Sequence, residues 1–196
     1  RLGSESKGIV VELGVGTGRI PIDIANMDRT IIGIDSSLAM LNQCKQNAIK
    51  AGIQDRIKLI HGDIQSLKLP QMANLIIFPF RSIGHLLSLN SKKQALKKIY
   101  DQLVPGGKFV FDHYIFNEQW ARNHDGISRL MCNHRLPNKD TILIWDTYQY
   151  DFPEQLMNCI ITIEKTNKFG TVFNRVHCPL TFSWIYPEQV LQLATD

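Results

Sequence analysis

Short apolar runs alternate with amphipathic stretches over residues 8–114, and that alternation predicts a parallel sheet covered by helices. Gly8 to Leu13 reads as a buried strand, followed by a glycine turn and a helix from Gly18 to Asn26. Thr30 to Ile34 reads as a second strand. Ser37 to Ala51 then reads as a helix with Ser36 or Ser37 as its N-cap and Gly52 as its C-terminal stop. Arg56 to His61 and Asn74 to Phe78 supply strands three and four. Ser91-Lys92-Lys93-Gln94 fits a capping box, and Ala95, Leu96, Ile99, Tyr100 and Leu103 form the apolar stripe of the helix that follows. Pro105-Gly106-Gly107 is expected to end that helix, and Lys108 to Tyr114 to be strand five.

After Phe116 the pattern changes. Thr141 to Asp151, Leu156 to Asn167 and Thr171 to Trp184 are long, β-branched and aromatic, with turn-like segments between them. Met157, Cys159, Ile161 and Ile163 alternate on one face of the second run; Val176, Cys178, Leu180 and Phe182 do so on the third. This predicts an antiparallel meander with one buried face. Pro187 opens a helix that runs to Asp196. The expected organisation is an α/β core over 1–116, an antiparallel insertion over 117–186, and the start of a core helix over 187–196.

Composition changes this picture little. The 196 residues are 44% hydrophobic and 20% charged, which is ordinary globular usage and argues against disorder. No apolar run is long enough to span a bilayer as a helix and no secretory pattern opens the chain, so a cytoplasmic protein is expected. The net charge of +4 comes partly from Lys92, Lys93, Lys97 and Lys98, read as a solvated helix face. No arginine-rich tract with interleaved aromatics is present, which argues against nucleic acid. Cys44, Cys132, Cys159 and Cys178 form no C-x-x-C pair, and the histidines show no ligand spacing, so no metal is expected.

Candidate chemistry begins at Glu12-Leu13-Gly14-Val15-Gly16-Thr17-Gly18, where a buried strand hands over to a helix. Glycines there allow a sharp turn and close approach of a ligand to the main chain. The spacing is G-x-G-x-G, whereas a dinucleotide site wants G-x-G-x-x-G. Glu12 disfavours a pyrophosphate and suits a ligand bearing an ammonium and a sulfonium. Asp35, at the end of the second strand, is placed to accept both hydroxyls of a ribose; this alone does not separate S-adenosylmethionine from NAD. Gly62-Asp63-Ile64 follows the third strand, with Asp63 placed for an adenine amino group and Ile64 for the ring; a turn aspartate that braces its own loop is the alternative.

The runs VELGVGTG, GIDSS with Met40 after it, HGDI and LVPGGKFVFD resemble class I S-adenosylmethionine-dependent methyltransferases, in the right order over residues 8–114. The resemblance implies a doubly wound, mostly parallel, Rossmann-like sheet with the cofactor S-adenosylmethionine across the ends of its first strands. It implies that Glu12, Gly14, Gly16 and Gly18 serve the methionine half, Asp35 and Ser36 the ribose, and Met40, Asp63 and Ile64 the adenine side. Phe78 is implied as a further cofactor contact. The segment 74–87 and the antiparallel strands resemble the small-molecule branch, as in glycine and amino-sugar N-methyltransferases. That family continues into two more strands and carries a lid helix before the first, so terminal elements are expected to be missing from this sequence. No Asn-Pro-Pro-Tyr or Asp-Pro-Pro-Tyr follows strand four, which argues against methylation of bases or glutamine amides.

Methyl transfer from a sulfonium needs alignment above all, which supplies up to ~7–11 kcal/mol. A neutral amine needs no strong base, whereas a hydroxyl does. His85, after strand four, and His113 and Tyr114, at the end of strand five, are the candidate catalytic residues; each also reads as a structural side chain. Arg81 is placed to hold a substrate carboxylate or phosphate, or to make a surface ion pair. Asp146, Tyr148 and Tyr150 share one face of their strand, as do Arg175 and His177 of theirs. Tyr148 and Arg175 are therefore candidate substrate-lining residues, with a solvated sheet face as the alternative. The expected partner is a small molecule. A cofactor-binding scaffold without turnover, an RNA methyltransferase and an NAD-dependent oxidoreductase are the alternatives.

Overall fold

A computed structural model describes residues 8–66 and 68–195. The chain divides into two compact units: residues up to 83 together with 89–113, and residues 84–88 together with those from 114 onward. The second unit thus claims a short segment after strand four as well as the meander and the last helix.

The first unit holds five parallel strands, β1 (Val10–Leu13), β2 (Ile31–Asp35), β3 (Ile57–His61), β4 (Ala73–Phe78) and β5 (Leu103–Phe111), in the order β3-β2-β1-β4-β5. Three helices accompany them: α1 (Arg19–Ala25), α2 (Leu38–Lys50) and α3 (Leu89–Tyr100). β1 lies centrally and all four of its residues are buried, as a strand flanked on both edges by parallel neighbours requires. Val10, Ile31, Ile57 and Leu75 from four strands pack with Ile24 and Ala25 of α1 and Ala48 of α2. The order of the strands reverses between β1 and β4, and in such sheets ligands bind outside the carboxyl ends at that point. The doubly wound architecture expected from the sequence is present.

Four local expectations need correction. α3 begins at Leu89, so Ser91 lies inside the helix rather than at its cap. Pro105-Gly106-Gly107 does not terminate α3, which ends at Tyr100; it lies within β5. The β4–β5 register jumps from Ala73↔Leu103 to Leu75↔Lys108, so the proline and glycines occupy a bulge, with Gly106 at φ 76°. β5 ends at Phe111, which leaves His113 and Tyr114 beyond the strand. Lys92 is not part of a solvated face: with Ala95 and Ile99 it lies on the buried side of α3. Burial lowers its pKa to about 8.

The second unit contains an antiparallel sheet in the order β6 (Ser128–Arg135), β7 (Thr141–Asp151), β8 (Leu156–Thr166) and β9 (Val172–Ser183), with helices α4 (Glu118–His124) and α5 (Pro187–Thr195). Asp196, expected at the end of α5, lies outside the described residues. The three long strands fall where their alternation predicts. Cys159 opposes Leu180, Ile161 opposes Cys178 and Ile163 opposes Val176, so the two apolar sets share one face. Burial is uneven along it: Cys159 is 3% exposed and Val176 46%. β6 was not legible because its pairing with β7 shifts between Leu130 and Cys132, which breaks the period of two. Phe116 stacks on buried Trp184 at 3.9 Å between ring centroids, nearly parallel at 4°. The Ser183 hydroxyl donates to the carbonyls of Gly84 and Leu86 at 3.1 and 2.8 Å and fastens segment 84–88 to the end of β9.

Candidate active site

β1 delivers Glu12 to the switch point. Its neighbours in the sheet are Gly33 of β2 and Ile77 of β4. Gly33 is required there: a Cβ would stand 2.8 Å from Cγ2 of Val15, whose packing roots the glycine turn. The Val15 amide donates to the Ile34 carbonyl at 2.9 Å. Glu12 is 3% exposed, and its Oε2 has no hydrogen-bond partner among the described residues. Burial raises its pKa from 4.5 to about 8, although the positive charge of Arg19 opposes the shift. A buried carboxyl without a partner is costly to folding, so it marks a place where a donor or a cation is expected.

The turn beyond Glu12 has three glycines with distinct parts. Gly14 and Gly16 are left-handed, at φ 68° and 55°, and a Cβ on Gly16 would meet nothing within 4 Å. A ligand therefore has access to the main chain at that position. Gly18 is different. It is buried, at φ 91°, and a Cβ there would strike Sγ of Cys44 in α2. The third glycine thus lets α1 start against α2, which gives it a packing role in addition to the one expected from the sequence.

Asp35 ends β2 beside this turn. Its Oδ2 accepts from the Gly16 amide at 2.8 Å and its Oδ1 from the Ser37 amide at 2.8 Å. Each oxygen keeps a further lone pair for a ligand hydroxyl. Ser37, not Ser36, caps α2, accepting from the Met40 amide at 3.3 Å. Ser36 is exposed, and its carbonyl accepts from Nε2 of His61 at 3.0 Å. His61, opposite Asp35 in the β2–β3 register, was missed by sequence reasoning although its place at the end of β3 was visible. Met40 is 45% exposed. Asp63 is exposed and Ile64 half-buried; Asp63 Oδ1 accepts from the Gln65 amide at 2.9 Å, which makes the turn-aspartate reading part of its role.

Phe78 ends β4 buried, with a ring carbon 3.6 Å from where a Gly14 Cβ would be. Beyond it Phe80 and Arg81 are both left-handed, at φ 62° and 59°. Asp112, just past β5, accepts from their amides at 2.6 and 3.2 Å. The Arg19 guanidinium lies over the Phe80 ring at 4.0 Å. Asp112, Arg19 and Phe80 were not singled out from the sequence, because their meeting depends on three separate chain segments.

His113 follows Asp112 and is half-buried. Burial, then the positive charges of Lys92 and Arg81, lower its pKa to about 4. Its imidazole is therefore neutral at pH 7 and a weak base. His85 and Tyr114 belong to the second unit. The His85 ring lies 4.6 Å from that of Phe182. Tyr114 is half-buried, 6.5 Å from Phe116 between ring centroids.

In the second sheet the candidate substrate residues occupy opposite faces. Tyr148 opposes Cys159, on the face of Asp146 and Ile161, whereas Arg175 opposes Glu164. The Arg175 guanidinium is held by that carboxylate at 2.6 Å. Asp146 is buried and pairs with Arg129 at 2.9 Å, and Arg129 lies 4.7 Å over the Trp120 ring. Among the described residues no cluster of His, Cys, Asp and Glu has metal-binding geometry.

The profile of a protein family described as "Methyltransferase domain" matches residues 10–107, half of the chain and all five strands except the end of β5. The chain belongs to that family. This methyltransferase domain is 32% identical over 107 residues to the carboxy-S-adenosyl-L-methionine synthase of Shewanella piezotolerans, covering 55% of this chain and 43% of that protein. The chain therefore spans less than half the length of that curated relative in the match. Among solved structures it is similar to the CcbJ methyltransferase of Streptomyces caelestis. The TM-score there is 0.82 and the identity 21%, covering 99% of this chain and 74% of that one. It is also similar to the S-adenosylmethionine-bound amino pentose methyltransferase CalS10 of Micromonospora echinaspora. There the TM-score is 0.77 and the identity 16%, covering 96% of this chain and 73% of that one. These likenesses establish the Rossmann-like methyltransferase fold with its antiparallel sheet. The family's cofactor is S-adenosylmethionine, and the residues at the switch point fit it: a buried carboxyl oxygen without a hydrogen-bond partner among the described residues, a glycine open to a ligand, and an aspartate at the end of β2 with lone pairs to spare.

Proposed function

We propose that this domain transfers a methyl group from S-adenosylmethionine to a small-molecule acceptor, an amine before a hydroxyl. The observation that carries the reading is the buried Oε2 of Glu12 at the mouth of the glycine turn, which has no hydrogen-bond partner among the described residues. An ammonium group is the complement that such a carboxyl lacks. When bound, S-adenosylmethionine supplies an electrophilic methyl on a sulfonium. Glu12 takes the ammonium, Gly14 and Gly16 let the ligand reach the main chain, and Asp35 takes the ribose hydroxyls while holding the Gly16 amide. Met40, Asp63 and Ile64 stand at the ends of β2 and β3 for the adenine. The work left to the protein is alignment and exclusion of water.

One observation favours an amine acceptor. His113, the candidate base of the first unit, is kept neutral and weakly basic, which suits an acceptor that needs no deprotonation before attack. The second unit offers Tyr148 and Tyr150 beside the Arg129–Asp146 pair, a face able to receive a polar small molecule; His85 and Tyr114 are the further candidates within that unit, and Arg81 remains a candidate of the first. RNA is a weaker choice at a net charge of +4 without a basic tract. No helix among the described residues is long and apolar enough to cross a membrane. The same reading places the domain in the cytoplasm, where its four cysteines, all free thiols, stay reduced.

The test is calorimetric titration with S-adenosylmethionine, S-adenosylhomocysteine and NAD, followed by transfer of labelled methyl to panels of amines, amino sugars and alcohols. Micromolar binding of the sulfur ligands with transfer to an amine is expected. Binding of NAD instead would overturn the reading. Sulfur-ligand binding without transfer to any panel would favour a scaffold without turnover.

A further inference from the structure

Two consecutive non-glycine residues in the left-handed region are uncommon, and neither Phe80 nor Arg81 has a side chain that favours it. Both lie in the first unit, as do Asp112, Arg19 and Gly14. The pair persists because one carboxylate accepts from both amides, Oδ1 from Phe80 at 2.6 Å and Oδ2 from Arg81 at 3.2 Å. Asp112 reaches them because Phe111, just before it, is in register with Phe78 of β4. The clamp gains nothing for the core: Phe80 remains 59% exposed. What it does gain is placement. The Phe80 ring is set under the Arg19 guanidinium at 4.0 Å, and Ser82, one residue past the clamp, puts its Oγ 3.4 Å from where a Gly14 Cβ would stand. The loop so held meets the glycine turn at its first glycine and at the residue that starts α1.

We infer that Asp112 is a positioning residue for the methionine half of the cofactor site, acting through the Phe80–Arg81 pair and the seat that Phe80 gives to Arg19. The inference rests on the S-adenosylmethionine reading above. Arg19 is the first residue of α1 and follows the glycine turn directly, and Ser82 stands beside Gly14, so the conformation of this loop bears on the stretch assigned to the methionine half. Without Asp112 the pair relaxes toward right-handed backbone, Phe80 leaves the guanidinium, and Arg19 is free to settle elsewhere. The adenosine half, held from Asp35 and the β3 end, is not touched by this chain of contacts.

The experiment compares the wild type with Asp112→Asn and Phe80→Leu, titrating each with S-adenosylhomocysteine and with 5′-methylthioadenosine, which lacks the amino acid. Each variant is expected to weaken S-adenosylhomocysteine by about tenfold, the scale of one lost charge-assisted contact, and to bind 5′-methylthioadenosine as the wild type does. In nitrogen-detected spectra the Arg19 Nε–H should carry an upfield ring-current shift in the wild type that both variants lose. Equal weakening of both ligands would mean a general scaffold role and would overturn the inference, as would an Arg19 resonance unmoved by Asp112→Asn. Should Asp112→Asn fail to fold, Phe80→Leu, altered at an exposed side chain, decides alone by the same two readouts. A wild type that binds neither ligand would instead remove the cofactor reading, and the inference with it.

Discussion

The carboxylate of Asp35 and the amide of Gly16 are joined at 2.8 Å, so the end of β2 fixes the conformation of the glycine turn that follows β1. The same side chain accepts from the Ser37 amide and thereby also orients the start of α2. One residue therefore shapes the turn and, in the proposed function, offers its remaining lone pairs to a ribose.

Asp35→Ala is expected to weaken S-adenosylhomocysteine by about 10- to 100-fold, from the loss of charge-assisted hydrogen bonds worth ~1.5–3 kcal/mol. Asp35→Asn keeps one acceptor and should fall between the two. Calorimetric titration measures this, and an unchanged dissociation constant for Asp35→Ala would remove Asp35 from the site.

Glu12 makes a pH prediction whose sign follows from its raised pKa. The folded chain holds a proton up to about pH 8 that the unfolded chain releases near 4.5, so this group's stabilisation is full below 4.5 and is lost as pH rises through 8. The urea midpoint of the ligand-free wild type should therefore fall between pH 5 and 8.5 relative to Glu12→Gln. Binding an ammonium ligand near pH 6.5 should release a proton, seen as a dependence of the calorimetric heat on buffer ionisation enthalpy. Glu12→Gln should abolish that dependence; its persistence in the variant would assign the proton to another group.

Gly18→Ala combines a left-handed backbone at φ 91° with a clash against Cys44, and is expected to destabilise the first unit by ~2–4 kcal/mol. Adding Cys44→Ala should recover part of the loss by removing the sulfur, but not the backbone strain. Urea unfolding of the single and double variants checks both statements. If Gly18→Ala alone were neutral, the packing role of the third glycine would be wrong.

Asp146→Ala leaves the Arg129 guanidinium without its buried partner, and about 1–3 kcal/mol is expected to be lost, less than for a fully buried pair because Arg129 is 31% exposed. The unfolding of the antiparallel sheet can be followed by tryptophan fluorescence, since Trp145 and Trp184 both lie in the second unit. Equal stability of the variant and the wild type would show the pair to be energetically idle.

Periodicity by itself determined the five-stranded parallel core, the three long antiparallel strands and the glycine turn, because buried parallel strands and half-buried antiparallel ones leave runs and alternations that are local in the chain. It also placed Glu12, Gly16 and Asp35, whose significance comes from their position at strand ends. Where a bulge breaks the period, that signal fails: β6 leaves no regular alternation, and Pro105-Gly106-Gly107 has the composition of a helix stop although it bulges β5. Lys92 shows the same limit, since four lysines at helical spacing give no sign that one of them turns inward. Tertiary structure alone decided that Gly18 serves helix packing, that Tyr148 and Arg175 face opposite ways, and that Asp112 clamps Phe80 and Arg81. Each of those outcomes is a contact between segments far apart in the chain, and such contacts are set by register and packing, to which no local pattern of residues is sensitive.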